Sequence, residues 1–233
     1  MKLIKKNLQI AIDGPVGAGK SVTANLLAKR LGITYVYTGT MYRAVGYLAS
    51  QNKVDWYDES KVFSLLPKAK IELRPASHVG RFCDVFVSGE DVNDKLFTPE
   101  ASQGASAVAT LPLIRKELVE LQKAIANNHG VVMEGRDITT TVLPQADLKI
   151  YMTADTQLRA QRRLRDLQNK GFDKNLSEVL KETKDRDYQD SHRTTDPLQI
   201  AKDAWVLDTT DLTIEGTIDT IVEKLNTIGL IKK

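Results

Sequence analysis

The chain has 233 residues, 42% of them hydrophobic and 27% charged, with a formal charge of +3. That is long enough for one full α/β domain with a substantial core, and no apolar run approaches the roughly 18–20 residues a membrane helix needs. The near-balanced charge gives no reason to expect a nucleic-acid partner. One cysteine, Cys83, leaves no disulfide framework and fits a reducing cytoplasm, and the N-terminus lacks the apolar stretch and cleavage site of a signal peptide.

Leu8–Asp13 is a short apolar run ending in glycines and is predicted to be a buried parallel strand. Lys20–Leu31 follows with apolar residues at Val22, Leu26, Leu27 and Leu31, a helical spacing, and Gly32 sits where a helix C-cap would. Thr34–Tyr37 is a second strand candidate and Met41–Gln51 a helix. Between 70 and 97, the segments IELRP, FCDVFVSG and EDVN alternate and carry turn residues, which predicts a small antiparallel insertion of two or three strands. Helical pattern runs from Glu100 to Asn128. Val131–Met133 and Leu148–Met152 are strands, residues 155–190 are charged and mostly helical with a break at Lys170-Gly171, and Trp205–Leu207 is a last strand. Ile214, Ile218, Ile221, Val222 and Leu225 mark a closing amphipathic helix. Five strands alternating with helices predict a three-layer α/β sandwich around a five-stranded parallel sheet. The expected organisation is a single domain over 1–233, with an insertion at 68–100 and a helical lid at 155–173.

Gly14-Pro15-Val16-Gly17-Ala18-Gly19-Lys20-Ser21 matches the phosphate-binding pattern G-x-x-x-x-G-K-[ST], between a strand and a helix as that motif requires. Glycines let backbone N–H groups approach phosphate oxygens, and the helix that follows points its positive end at the same anion. Lys20 can reach the β- and γ-phosphates of a nucleotide, and the Ser21 hydroxyl can ligate Mg²⁺. Glu134, at the end of Val131–Met133, has the form of the acid that helps hold Mg²⁺ or its waters in such proteins. No N-K-x-D guanine-reading motif is present. A small kinase must neutralise a moving phosphoryl group with several cations. Arg43 and Arg136 stand at strand ends. Arg159, Arg162 and Arg163 share one helix face, and so do Arg186, Asp190 and Arg193. Another small P-loop kinase with a different acceptor, or a non-catalytic module holding RNA with these arginines, would also use such a set. The RNA module would show salt-sensitive RNA affinity.

GPVGAGKS, then Thr38-Gly39-Thr40-Met41-Tyr42-Arg43, Val87-Ser88-Gly89-Glu90-Asp91-Val92, Glu134-Gly135-Arg136-Asp137 and Lys184-Asp185-Arg186-Asp187, in this order, resemble bacterial cytidylate kinases over nearly the whole chain. The resemblance implies ATP as phosphoryl donor with Mg²⁺, and CMP and dCMP as acceptors. It also implies that the loop Gly14–Ser21 and Val22 hold the donor. Arg43, Arg136 and Arg193 would hold the CMP phosphate. Ser106, Arg115 and Asp137 would read the cytosine edge, Arg186 and Asp190 would contact the pentose, and Thr38 would line the same pocket. Arg159, Arg162 and Arg163 would close over ATP, and Lys20, Arg136, Arg163 and Arg193 would carry the chemistry. Asp137 can accept a hydrogen bond from the exocyclic amine that uracil lacks, a discrimination of about 2–5 kcal/mol. Two positions depart from the family pattern: Glu134 replaces its usual Asp, and Thr139 replaces the Gly of Ile-Gly-Thr. A monomer is expected, with no membrane or nucleic-acid partner.

Overall fold

The computed structural model describes residues 2–74, 76–78, 81–127 and 129–232. Pro75 and Asn128, at the ends of an expected strand and an expected helix, lie outside these, as do Val79 and Gly80 of the expected insertion. The chain divides into two compact units, Met1–Tyr35 with Ala126–Lys233, and Val36–Ile125.

The first unit begins with β1 (Lys2–Leu3), β2 (Gln9–Asp13) and α1 (Lys20–Leu31), and β3 (Thr34–Tyr37) leads out of it. The second unit contains α2 (Gly39–Gln51), α3 (Glu59–Leu65), β4 (Ile71–Arg74), β5 (Asp84–Val87), β6 (Glu90–Asp91), α4 (Asn93–Leu96), α5 (Pro99–Val108) and α6 (Pro112–Ala126). The chain then returns through β7 (Val131–Gly135), β8 (Leu148–Thr153), α7 (Thr156–Asn169), α8 (Leu176–His192), β9 (Trp205–Asp208), α9 (Ile214–Thr227) and β10 (Ile231–Lys232).

A five-stranded sheet has the order β3-β7-β2-β8-β9. β2 lies at its centre, parallel to β7 and to β8. A strand flanked on both sides must be apolar on both faces, and four of the five β2 residues are buried. The register sets Ile12 opposite Glu134 and Asp13 opposite Gly135. The two segments that follow β2 and β7 therefore leave the same end of the sheet, the carboxyl end where open α/β folds bind ligands.

The core of this unit joins Leu8, Ile10, Ile12, Val132, Leu148 and Ile150 of the sheet region to α1 and α9. From α9 come Ile218, Ile221, Val222 and Leu225, four of the five expected positions, while Ile214 is exposed. The stripe on α1 differs from expectation: Ala24, Leu27, Ala28 and Leu31 are packed, while Val22 and Leu26 face outward. Small alanines let the helix approach the sheet, and apolar bulk alone had marked the wrong side of the first two turns. Gly32 closes α1 at φ 67° and returns its N–H to the last turn. β1 and β10 form an antiparallel pair that no periodicity could reveal at two residues each. α7 and α8 pack on each other through Ala160, Leu164, Leu167, Val179 and Leu180.

In the second unit β4, β5 and β6 form an antiparallel sheet. Ser88 and Gly89, both at positive φ, make the two-residue turn between β5 and β6. α2 and α5 cross closely at Gly46 and Gly104, where a Cβ added to Gly46 would lie 2.7 Å from the Gly104 carbonyl carbon. The expected single helical stretch from Glu100 is two helices. Pro112 has no N–H to continue α5 and instead opens α6.

Ile10 is fully buried in the central strand. Ile10→Ala is expected to lower unfolding stability by about 2–5 kcal/mol and Ile10→Val by about 0.5–1.5 kcal/mol, read from urea midpoints at unchanged slope.

Candidate active site

β2 ends at Asp13 and the chain turns at once through Gly14, at φ +150°. A Cβ at Gly14 would sit 1.9 Å from the Met152 carbonyl oxygen, and one at Gly17, φ +76°, would sit 2.7 Å from the Arg159 carbonyl oxygen. Only glycine fits either place. Gly19 then caps α1 in a left-handed conformation, and no side chain caps the first-turn amides of the helix. Lys20 is buried and folds back on the loop, donating from Nζ to the carbonyls of Gly14 and Pro15, both at 2.8 Å. Burial is the main force on its amine, with repulsion from Arg136 next, and together they push it down to about 7 against the pull of Glu134, Asp13 and Asp190. Ser21 Oγ donates to Glu134 at 2.8 Å, and Tyr35 donates to the same oxygen at 3.3 Å.

Asp13 is fully buried. One of its oxygens accepts from the Ile138 amide at 2.9 Å; the other accepts from the Thr139 amide at 2.7 Å and the Thr139 hydroxyl at 2.6 Å. Burial raises its carboxyl above the ordinary range, while these bonds and Lys20 work the other way. Ile138–Val142 forms a short π-helical turn that begins here. Thr139 is not among the residues at positive φ. Glycine is therefore not required at this position, and threonine adds a bond to Asp13 that glycine would lack.

Beyond β7 the chain enters a cluster of arginines and carboxylates. Arg136 donates from Nε to Asp190 at 2.7 Å and from Nη1 to the Gly135 carbonyl at 3.1 Å. Arg186, one helical turn from Asp190 on α8, reaches both its oxygens at 3.4 Å. Arg193, just past α8, pairs with Asp137 at 3.4 Å and donates to the Asp196 carbonyl. Burial acts most strongly on Asp190 and would raise its pKa, but Arg136, Arg186 and Arg193 outweigh it and hold the carboxyl at about 2. Burial likewise opposes the charge on Arg136, and Asp190, Glu134 and Asp187 overcome it. Both groups are thus ionised, and each guanidinium of the cluster is held by a carboxylate.

The three arginines of α7 diverge. Arg159 is buried and donates to Ala154, Thr156, the Val16 carbonyl of the phosphate loop at 3.0 Å and Asp187 at 2.6 Å. Arg162 donates to the hydroxyl and carbonyl of Thr209. Arg163, half-buried, is farther from the loop along the helix. In the second unit Thr38 is buried just before α2, and Arg43 donates to the Leu96 carbonyl at 2.7 Å and lies over the Phe97 ring. Ser106 is buried on α5, and Arg115, fully buried on α6, donates to the Ala109 carbonyl and lies over the Tyr42 ring.

The sequence reading assigned no role to Asp13 or Asp187. Asp13 could have been noticed as a carboxylate ending an otherwise apolar central strand. Asp187 stood within a quoted motif, but only the fold shows that it reaches the phosphate loop. Among the described residues no group of three or more His, Cys, Asp or Glu is placed to hold a metal, and no helix is long and apolar enough to cross a membrane.

The family model for cytidylate kinase matches residues 10–227. A cytidylate kinase from a Geobacillus species is 46% identical over 223 residues, covering 96% of this chain and 98% of that protein. One from Lactobacillus gasseri is 44% identical over 216 residues, covering 93% of each. Among solved structures, an uncharacterized protein from Eubacterium ventriosum superposes with a TM-score of 0.51 at 12% identity, over 94% of this chain and 99% of that one, a likeness of fold alone.

The depressed Lys20 amine sets a pH signature. With its pKa near 7 in the folded chain and 10.5 as the ordinary value, the unfolded chain binds the extra proton between those limits. The Lys20 contribution to ligand-free stability is full above about pH 10.5 and is lost as pH falls toward 7. A triphosphate on the loop favours the charged amine, so binding a non-hydrolysable ATP analogue at pH 8.5 is expected to take up about one proton. Calorimetry in two buffers of different ionisation enthalpy reads this, and Lys20→Met should abolish the uptake.

Proposed function

The chain belongs to the cytidylate kinase family, and from that premise we propose which of its residues carry the transfer of the γ-phosphate of ATP to CMP or dCMP, giving ADP and CDP or dCDP. The observation that carries the reading is the cluster of Arg136 and Arg186 on the buried Asp190, with Arg193 and Asp137, which follows β7 at the same sheet end as the phosphate loop.

The donor triphosphate is taken by the amides of Gly14–Ser21, with Val22 beside them on α1. Lys20 exchanges its two carbonyl partners for phosphate oxygens and regains its proton as it does so. The acceptor phosphate is taken by Arg136 and Arg193. Among the described residues Arg136 keeps Nη2 outside its own bonds, and a guanidinium edge suits a phosphate oxygen pair. Asp190 keeps Arg136 charged and aimed, and with Arg186 it meets the pentose. Asp137 accepts from the cytosine amine. Arg43, Thr38, Ser106 and Arg115 of the second unit are proposed substrate contacts on the strength of the family match alone.

Transfer needs no general base, because the attacking acceptor oxygen is already anionic. The bond from that oxygen to the γ-phosphorus forms as the bond to the β–γ bridging oxygen breaks, and the charge leaves on ADP. Lys20, Arg136, Arg193 and Arg163 neutralise it, which is the larger part of catalysis for phosphoryl transfer. The α7 arginines enter this scheme unequally. Arg159 and Arg162 hold protein oxygens at the base of the helix, and Arg163 is the one proposed to reach ATP.

Ser21 and Glu134 present a hydroxyl and a carboxylate in contact, a hard oxygen pair that fits Mg²⁺ and would hold it there. The ion would supply charge neutralisation to the triphosphate when bound. The reading includes a monomeric enzyme; its cytoplasmic setting and lack of a nucleic-acid partner are supported by the single buried Cys83 and the small net charge.

A steady-state assay with CMP, dCMP, UMP and AMP checks the acceptor, and turnover of UMP or AMP equal to that of CMP contradicts it. Asp190→Ala strips Arg136 of its buried partner, a loss of about 3–5 kcal/mol. It is expected to cut kcat/KM for CMP by at least about 100-fold while the affinity for an ATP analogue changes less than about threefold.

A further inference from the structure

The Val16 peptide in the middle of the phosphate loop is gripped from both sides. Its N–H donates to one carboxylate oxygen of Asp187 at 3.2 Å, and its C=O accepts from Arg159 Nη1 at 3.0 Å. The two grips are themselves joined, because Arg159 Nη1 also donates to the second Asp187 oxygen at 2.6 Å. Peptide, carboxylate and guanidinium close a ring that ties the loop to the first turn of α7 and to α8.

This ring is not what holds the two helices together. α7 and α8 have their own apolar seam, and Arg159 is already fixed locally by Ala154 and Thr156. What Asp187 adds is a link to the loop. It is the one carboxylate bonded to Arg159 among the described residues, with Arg159 buried and Asp187 partly exposed. On the same helix Arg186 is its neighbour, Asp190 lies one turn on, and Arg193 follows the last turn. The Val16 backbone is thereby linked, through Asp187, to the helix that carries Arg186 and Asp190.

We propose that Asp187 is a positioning residue: through Arg159 and the Val16 peptide it couples occupancy of the phosphate loop by the triphosphate to the setting of Arg186, Asp190 and Arg193. The inference rests on the function assigned above. Such coupling is reciprocal, so each substrate should tighten the other by the same factor.

The test uses the full chain. The CMP dissociation constant is measured by calorimetry with and without a saturating non-hydrolysable ATP analogue and Mg²⁺, and the ratio is the coupling factor. For the unaltered protein a factor of about tenfold is expected. Asp187→Asn keeps an acceptor for the Val16 N–H but offers Arg159 no charge, and Asp187→Ala removes both. The factor should fall to about threefold in the first and to about one in the second, with CMP affinity in the absence of the analogue changed less than about threefold. Asp187→Glu, which keeps the charge, should recover part of the factor. A brace of purely structural kind would lower the melting temperature of these variants and leave the factor intact, and that result overturns the proposal. A factor of one in the unaltered protein overturns it equally. Asp187→Asn is nearly isosteric, so the ratio can be read even where Asp187→Ala fails to fold. Absence of CMP turnover by the unaltered chain sinks the functional assignment, whereas an unchanged ratio in the variants sinks only the coupling.

Discussion

A fully buried carboxylate at the end of the central strand is the constraint on which the first unit turns. Asp13 could not be tolerated there unsatisfied, since an isolated buried carboxylate costs several kcal/mol or more. Its two oxygens take three hydrogen bonds from Ile138 and Thr139. Those donors lie immediately after Arg136 and Asp137. The residue that launches the phosphate loop therefore also anchors the segment carrying the arginine cluster, and the parallel β2–β7 register makes the reach possible. Loop and cluster are set against each other by backbone amides bonded to a buried carboxylate.

Cations gathered at one end of a sheet pose an electrostatic problem, and the structure resolves it in two ways. Lys20 holds its charge weakly: burial brings its amine to about 7, and it rests on the carbonyls of Gly14 and Pro15. The arginines cannot deprotonate, so they are given internal counter-ions instead. Asp190 serves Arg136 and Arg186, Asp137 serves Arg193, and Asp187 serves Arg159. Under the proposed function, incoming phosphates would meet a field that is already oriented, which is how preorganised groups lower a charged barrier.

Much of this was legible in the residues because it rests on local rules. The strand–glycine–helix signature around Gly14–Ser21 demands glycine at positive φ and close approach, and both Gly14 and Gly17 are in such positions. The β5–β6 hairpin was legible through alternation and its Ser88-Gly89 turn. What escaped notice depends on distant pairing. The contact between Asp187 and Val16 spans 171 residues and that between Asp13 and Thr139 spans 126, and no period or motif in a single chain encodes such a separation. Of the apolar positions expected on α1, Leu27 and Leu31 are packed, and Val22 and Leu26 are not, for a different reason. Val22 and Leu26 look like core residues by polarity, but the sheet admits only the narrower side bearing Ala24 and Ala28. Arg159, Arg162 and Arg163 were read as one face from helical spacing. Spacing fixes direction along a helix but not which neighbour each side chain meets, and Arg159 and Arg162 meet different loops.

The two departures from the family motif, seen in place, have one physical sense. Glu134 and Thr139 lie on either side of Arg136, and each bonds to the phosphate-loop side of the sheet: Glu134 to Ser21, Thr139 to Asp13. An aspartate at 134 would be about 1.5 Å shorter and would fall short of the Ser21 hydroxyl from the same backbone position, and a glycine at 139 would offer Asp13 an amide but no hydroxyl. Both replacements lengthen or add a polar stitch across the same seam. Because Asp13 is buried, each bond it accepts offsets part of the cost of its charge. The segment bearing Arg136 is accordingly fastened at both ends by side chains as well as by the β7 ladder, which fixes the guanidinium from the backbone outward before Asp190 aims it.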